Sequence, residues 1–399
     1  MANLISDQKI RNAQAESNHY QPTGLGELNP RLIISKAHGA NLYDTELREY
    51  IDFSHTEAHI LGHAPERVTS ALETVINNGL NQGLATTGET TLVKLIQQVV
   101  PSAEQVHLTS SGHKAAVGAI RQALAFTGRK RIIKFKGANH GKFSHLGIPD
   151  EFAQLALNLP FNDEVAVFEA FELFKNEIAS VIVEPVLTGV GVVLPQEGFL
   201  QFLRTITAKH KSLLIFDEKV TGFRPKAGGA QEYFNVFPDV TILGNILGGG
   251  YSIGAFAGRR DVLSVKSSAE NTERHIDPLA IAAGTAILQR LRLPQFYEPL
   301  NHKSRDFIFW LNELTQNRGI QINAFQSMFT LYFNENKVTD FASANRSDRK
   351  RYERFSRKAF EQGVLFPQSQ FGTNFISSAH LPQDLSKTLD VVYRIIKNI

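Results

Sequence analysis

The middle of the chain alternates short, continuous apolar runs with helical segments, and this alternation constrains the fold more than any other feature of the sequence. The apolar runs lie at residues 106–108, 132–135, 181–183, 213–216, 240–243 and 255–258. Between them, residues 114–126, 165–174 and 199–209 carry helical patterning, the first of these ending at Gly128. Strands that are apolar on both faces and alternate with helices predict an α/β fold with a mostly parallel sheet covered on both sides.

The flanks read differently. Residues 1–29 are polar and weakly patterned, as in an arm. Two apolar runs between Leu32 and Phe53 flank the turn signal Asp44-Thr45-Glu46-Leu47 and predict a hairpin. Residues 68–80 and 92–100 follow as helices, the second stopped by Pro101. A long helical stretch begins at 281–290, and Pro294 and Pro299 mark the passage into a second unit. That unit carries candidate strands at 329–333 and 375–378 and ends on a helix over 385–396. The expected organisation is an arm with part of a small domain (1–55), a large domain (56–298) and a C-terminal α+β small domain (299–399).

Composition excludes several chemistries. The chain has no cysteine, which removes disulfides, thiolate catalysis and cysteine-bound zinc. Net charge is +3 with both signs interspersed, so no basic block points to nucleic acid or membrane. The densest cluster, residues 346–354, alternates sign ahead of an apolar helical run and reads as a solvated helix face. No apolar run approaches the ~18 residues of a membrane span. The N-terminus has no apolar signal core, so a soluble cytoplasmic protein is expected. His55, His59 and His63 are spaced four apart, but a zincin helix needs Glu directly after its first His, and no metal site is expected. His55 and His59 remain candidates for the substrate side of a pocket.

Three segments carry chemistry. In the first, Ser110-Ser111-Gly112-His113-Lys114 lies between a strand and a helix. Such a turn offers backbone N–H groups and a positive dipole end to a phosphate, although an ordinary strand–helix turn looks the same. In the second, Asp217, Glu218 and Lys219 follow directly on a buried strand. Alternation puts Asp217 and Lys219 on one side and Glu218 on the other, at the carboxyl end of a strand where open α/β sheets bind ligands. In the third, the run from Thr241 through Asn245 to Gly248-Gly249-Gly250 and Gly254 permits close backbone approach or serves as a structural loop.

In this order and at these spacings the three segments resemble the class III aminotransferases. These are fold-type I enzymes dependent on pyridoxal 5'-phosphate (PLP), and the resemblance is nearest to the glutamate-1-semialdehyde 2,1-aminomutase group. It covers roughly residues 30–399. It includes Ile60-Leu61-Gly62-His63, Asn139-His140-Gly141, Val183-Glu184-Pro185-Val186, Thr221-Gly222-Phe223-Arg224, Gly228-Gly229-Ala230-Gln231 and Ser327-Met328-Phe329-Thr330. It implies a fold-type I transferase with a seven-stranded-type sheet and a smaller α+β domain. It also implies PLP or pyridoxamine 5'-phosphate (PMP) as cofactor, a small amino compound as substrate, and a homodimer with active sites at the interface.

Carried over residue by residue, the resemblance assigns cofactor contacts to Ser111, Gly112, His113, Asn139, His140, Asp217, Asn245 and Thr272. Asp217 matches the aspartate that pairs with the pyridine nitrogen and makes the cofactor an electron sink. Ser111 and Gly112 match the phosphate turn, with His113 where Thr is usual and Lys114 where an acid is usual. Asn139 stands where an aromatic usually stacks on the ring. A Thr that reaches the phosphate from the neighbouring subunit falls at Glu273, beside Thr272. Asn245 replaces the imine-forming lysine, and an amide cannot form that bond or move a proton as an amine does. The segment after Gly141 is shorter than the aminomutase loop, and Thr56 falls where that group carries Trp, so the resemblance does not extend to the aminomutase substrate.

Lys219 replaces a small apolar residue on the strand face it shares with Asp217. A lysine shifts its pKa readily when desolvated, which suits imine chemistry. Lys219 is thus the candidate catalytic residue, as a relocated imine former. In the other reading it pairs with a carboxylate or phosphate in a non-catalytic protein that binds a cofactor, a phosphorylated ligand or an active paralogue. A lysine-independent use of PMP, with His140 or His113 moving the proton, is a further variant. Arg31 and Arg224 are candidates for a substrate carboxylate or for structural roles.

Overall fold

The computed structural model describes residues 32–54, 57–79, 86–140, 156–266 and 276–399. At its start β1 (Ile34–His38), β2 (Asn41–Asp44) and β3 (Glu49–Asp52) form an antiparallel meander. The predicted hairpin is its second half. Asp44 closes the turn by accepting the backbone N–H groups of Glu46 and Arg48, each at 2.9 Å. β1 is an added edge strand, and its largely exposed residues carry no apolar alternation to announce it.

The chain continues through α1 (Glu66–Asn78), α2 (Thr87–Val99), β4 (Gln105–Thr109), α3 (Gly112–Thr127), β5 (Arg131–Phe135) and β6 (Ala156–Leu159). It goes on through α4 (Glu164–Leu173), β7 (Ile178–Val183), α5 (Phe199–Lys209), β8 (Leu213–Glu218), α6 (Gly229–Phe234), β9 (Val240–Leu243) and β10 (Gly254–Gly258). These strands build one seven-stranded sheet in the order β4-β10-β9-β8-β7-β5-β6. Neighbours are parallel except around β10, which runs against both β4 and β9. β10 follows β9 through a loop and not a crossover helix, which fixes its antiparallel sense. All six predicted strands are present, and β6 is a seventh without a strong apolar signal.

Every residue of β7, β8, β9 and β10 is buried, which is why they read as unbroken apolar runs. Alternate residues face opposite layers. Ile182, Ile215 and Ile242 pack under Ala115, Ala116, Ala119 and Ile120 of α3. Val181, Leu214 and Phe216 meet Phe135, Phe171 and Leu203 on the other side. Apolar side chains cover both faces of the sheet, and the carboxyl ends of β4, β9 and β8 share one edge.

Beyond the large sheet the main elements are α7 (Pro278–Leu291), α8 (Tyr297–Thr315), β11 (Gln321–Phe325), β12 (Met328–Tyr332), α9 (Arg349–Glu361), β13 (Val364–Leu365), β14 (Asn374–Phe375) and α10 (Pro382–Ile396). β11, β12 and β14 form an antiparallel sheet, and β13 joins β3 in parallel. The strand predicted over 375–378 ends early. Ladder pairing stops at Phe375, Ile376 donates to the Ser327 carbonyl, and Ser378 donates to that of Ile60. The charged cluster at 346–354 leads into α9, which buries Tyr352 and Phe355 and exposes Arg349, Lys350, Glu353 and Arg354. Phe53 stacks on Phe307 and Phe366 at 5.6 Å each, which joins the first meander to the C-terminal segment.

Candidate active site

A cavity of about 700 Å³ opens at the carboxyl edge of the large sheet. Ser111, Gly112, His113, Asn139, Asp217, Lys219 and Asn245 all line it. These residues come from the turn after β4, the segment after β5, the end of β8 and the turn after β9. The parallel strands therefore bring together positions spread over more than a hundred residues of sequence. His140 lies behind the wall, against Asp217. Thr272, Glu273, Arg31, His55 and Thr56 lie outside the described residues.

Asp217 is the electrostatic centre. Its carboxylate is buried, with Oδ2 2.7 Å from His140 Nδ1 and 3.1 Å from Lys219 Nζ. Its Oδ1 accepts the Lys219 backbone N–H at 3.3 Å. Burial opposes ionisation of Asp217, but the Lys219 charge and the His140 hydrogen bond outweigh it and hold the carboxyl below its ordinary value. The buried His140 Nε2 has no partner among the described residues. Lys219 also donates from Nζ to the Asn139 carbonyl at 3.0 Å, and its side chain is 16% exposed.

Alternation has the expected effect at the end of β8. Asp217 and Lys219 face the cavity, while Glu218 turns the other way into α6. There Glu218 accepts the N–H groups of Ala230 and Gln231, the Gln231 side-chain amide and the Thr221 hydroxyl. Burial pushes the Glu218 carboxyl up, against these four donors.

The turn after β4 is a helix start. Ser111 caps α3 by accepting the Lys114 N–H at 3.2 Å, and Gly112 is the first helical residue. A Cβ at Gly112 would lie 3.0 Å from Lys219 Cδ, so the lysine stem passes directly over this turn. A Cβ at Gly254 would fall 2.5 Å from the Ser111 carbonyl, and glycine there lets β10 approach closely. The N–H groups at the start of a sixteen-residue helix thus open into the cavity beside a lysine.

Asn245 opens a 3-10 turn with φ at 45°, a left-handed conformation that Asn tolerates better than most side chains. Its side-chain amide donates to Glu57 Oε1. Glu57 also lines the cavity, and its backbone carbonyl accepts Arg224 Nη2 at 2.6 Å. Arg224 is wholly buried, and its guanidinium lies over the Phe375 ring at 4.6 Å. Burial brings the Arg224 pKa down to about 10.

Sequence reasoning missed Glu57 and Glu184. Glu184 accepts the Asn139 N–H at 2.6 Å and both the N–H and hydroxyl of Thr188, which fixes the wall that Lys219 touches through the Asn139 carbonyl. The Glu-Pro pair at 184–185 was a visible signal for that wall. No local pattern marked Glu57. His63 pairs with Asp52 at 2.9 Å and packs against His59 at 4.6 Å between ring centroids. Among the described residues no group of three or more His, Cys, Asp and Glu could hold a metal ion.

The family model for aminotransferase class III matches residues 24–380. Glutamate-1-semialdehyde 2,1-aminomutase from Aquifex aeolicus (strain VF5) is 39% identical over 392 residues, covering 92% of each chain. A beta-phenylalanine aminotransferase from Variovorax paradoxus superposes with a TM-score of 0.86 at 26% identity, over 98% of this chain and 94% of that one. A glutamate-1-semialdehyde-aminomutase variant from Pseudomonas aeruginosa PAO1, solved in complex with PMP, superposes with a TM-score of 0.87 at 18% identity. That match covers 98% of this chain and 94% of the other. The sheet order, the cavity at its carboxyl edge and these relatives agree: the chain belongs to the class III aminotransferases, a family of fold-type I enzymes, with glutamate-1-semialdehyde 2,1-aminomutases among its relatives.

Proposed function

We propose that the protein is a PLP- or PMP-dependent enzyme acting on a small amino compound, in which Lys219 replaces the lysine missing at position 245. The observation that carries this reading is the position of Lys219. Among the described residues it is the one lysine lining the cavity, and its stem passes over Gly112.

The residues present fit such a cofactor. Asp217 is a buried, ionised acceptor suited to a protonated pyridine nitrogen, and His140 Nε2, without a partner among the described residues, marks polar capacity behind it. Ser111, Gly112 and His113 offer the helix start to a phosphate. Asn139, the backbone-pinned neighbour of Glu184, and Asn245 complete the wall. When bound, PLP supplies an electrophilic aldehyde conjugated to an electron-accepting ring, and PMP supplies the corresponding amine. The protein's part is to orient the ring through Asp217, hold the phosphate at α3 and present the Lys219 amine. His140 holds the Asp217 carboxylate in place at 2.7 Å.

One observation favours a second reading. Asp217 is already neutralised by Lys219, so the pair also suits a non-catalytic relative that binds a cofactor, a phosphorylated ligand or an active paralogue. The absorption spectrum with added PLP separates the two. A long-wavelength band that appears in the wild type and vanishes in Lys219→Ala supports the enzyme. No such band in either protein leaves the second reading, or the lysine-independent use of PMP, standing. As in the family resemblance, we propose a homodimer with its sites at the interface. A molar mass of one chain by light scattering at micromolar concentration contradicts that assembly.

A further inference from the structure

Position 245 is where the resemblance loses its proton-moving amine, and the structure puts a carboxyl group there. Glu57 Oε1 accepts the Asn245 side-chain amide, and both residues line the cavity. The main chain of Glu57 is fixed from behind by the buried Arg224, which donates to its carbonyl at 2.6 Å. Its main chain is thus anchored by Arg224, and its carboxyl is oriented by Asn245 at the cavity wall.

Lys219 is placed for a different task. Its Nζ donates to Asp217 Oδ2 and the Asn139 carbonyl, and neither contact turns it toward residue 245. The cavity therefore contains two separate groups, an amine at the end of β8 and a carboxyl beside residue 245.

We propose that Glu57 is the proton-transfer group of this site, oriented by Asn245. This rests on the reading of Lys219 as the cofactor-bonding amine. The Glu57 carboxylate takes the proton from the carbon that carries the substrate amine. The C–H bond breaks, an O–H bond forms on Glu57, and the electron pair stays with the substrate carbon, where the electron-accepting ring of a bound cofactor would stabilise it. The reverse transfer returns the proton to carbon and regenerates the carboxylate.

The electrostatics suit the task. Desolvation pushes the Glu57 carboxyl up from its ordinary value, the direction that makes a carboxylate a stronger base. The charges of Arg224 and Lys219 act against that rise, and Glu184 adds to it. A carboxylate serving only as a counter-charge for Arg224 has no need of the cavity face or of the Asn245 amide.

The test compares wild type, Glu57→Gln and Asn245→Ala, each loaded with PLP in deuterium oxide. The probe is an equimolar mixture of the common amino acids with β-alanine and 4-aminobutyrate. Borohydride reduction of a parallel sample reports the pyridoxyl group on Lys219. Wild type is expected to exchange deuterium into at least one amine at the amine-bearing carbon. Glu57→Gln should slow that exchange by about 10²-fold or more with the Lys219 label intact, and Asn245→Ala should slow it less. Exchange by Glu57→Gln within tenfold of wild type, or a labelled wild type that exchanges none of the amines, overturns the role of Glu57 alone. A wild type with no label on Lys219 overturns the Lys219 reading first and the inference with it. Infrared titration of the cofactor-free protein gives a second readout. A carboxylic-acid band that persists above the ordinary glutamate range and is lost in Glu57→Gln is expected, and its absence from the wild type also overturns the proposal.

Discussion

Replacing Lys219 with Met keeps most of the stem that passes over Gly112 and removes the charge that neutralises Asp217. At 3.1 Å the pair has a gross Coulomb attraction of about 5 kcal/mol at an effective dielectric constant of ~20. Desolvation of both ions cancels part of this, and His140 still supports Asp217 in the variant. The expected net loss is about 2–4 kcal/mol. Unfolding entropy scales at ~2.1 cal/mol/K per residue, so for this chain the loss corresponds to roughly 2–5 °C in the midpoint of a cooperative transition. The assay is calorimetry of the cofactor-free protein at fixed protomer concentration, because assembly shifts midpoints by mass action. Asp217→Asn in the same background removes the orphaned charge, and the double variant should recover about half the loss or more. The sign with pH follows from Asp217. Its folded carboxyl lies below the ordinary value, so its ionisation stabilises the fold above pH ~4 and this is lost as pH falls through the lower folded value. In the variant Asp217 has lost the Lys219 charge that holds it low and protonates at a higher pH than in wild type, so the penalty should be largest at neutral pH and shrink as pH falls. A Lys219→Met midpoint within 1 °C of wild type at neutral pH, taken as below the roughly 1 kcal/mol expected of an exposed ion pair, would refute this view of the pair.

Two further variants probe the frame around the site. Glu218→Ala removes the acceptor shared by four buried donors and should cost about 3–5 kcal/mol, measured by urea denaturation at pH 7; a cost under ~1 kcal/mol would show that water replaces the carboxylate. Gly112→Ala puts a methyl group 3.0 Å from Lys219 Cδ. It should change stability by less than ~1 kcal/mol while weakening PLP binding in an absorbance titration, and unchanged binding would mean the lysine stem moves freely.

Much of the fold was legible because burial leaves a strong trace in the sequence. β7, β8 and β9 are covered on both faces, and their continuous apolar runs gave their positions to within a few residues. The elements that escaped lacked that trace. β1 lies at an edge with exposed side chains, and β6 is a short, partly exposed strand. The strand expected over 375–378 ended early because its apolar residues are buried by packing and by single backbone hydrogen bonds, not by a ladder. At the site, strand alternation was enough to put Asp217 and Lys219 on one side and Glu218 on the other. Glu57 was not legible. It meets Asn245 across 188 residues of sequence, through a turn with no distinguishing pattern of its own. Arg224 was a candidate for a substrate carboxylate, and the structure uses it to hold the Glu57 main chain.

The most direct measurement is to load the protein with PLP, reduce it with borohydride, digest it and map the modified peptide by mass spectrometry. A pyridoxyl group on Lys219, absent from the Lys219→Ala protein, is the predicted result. A loaded protein with no pyridoxyl group on Lys219, whether unmodified or labelled at another lysine, would contradict the relocation of the cofactor-bonding amine from position 245 to position 219.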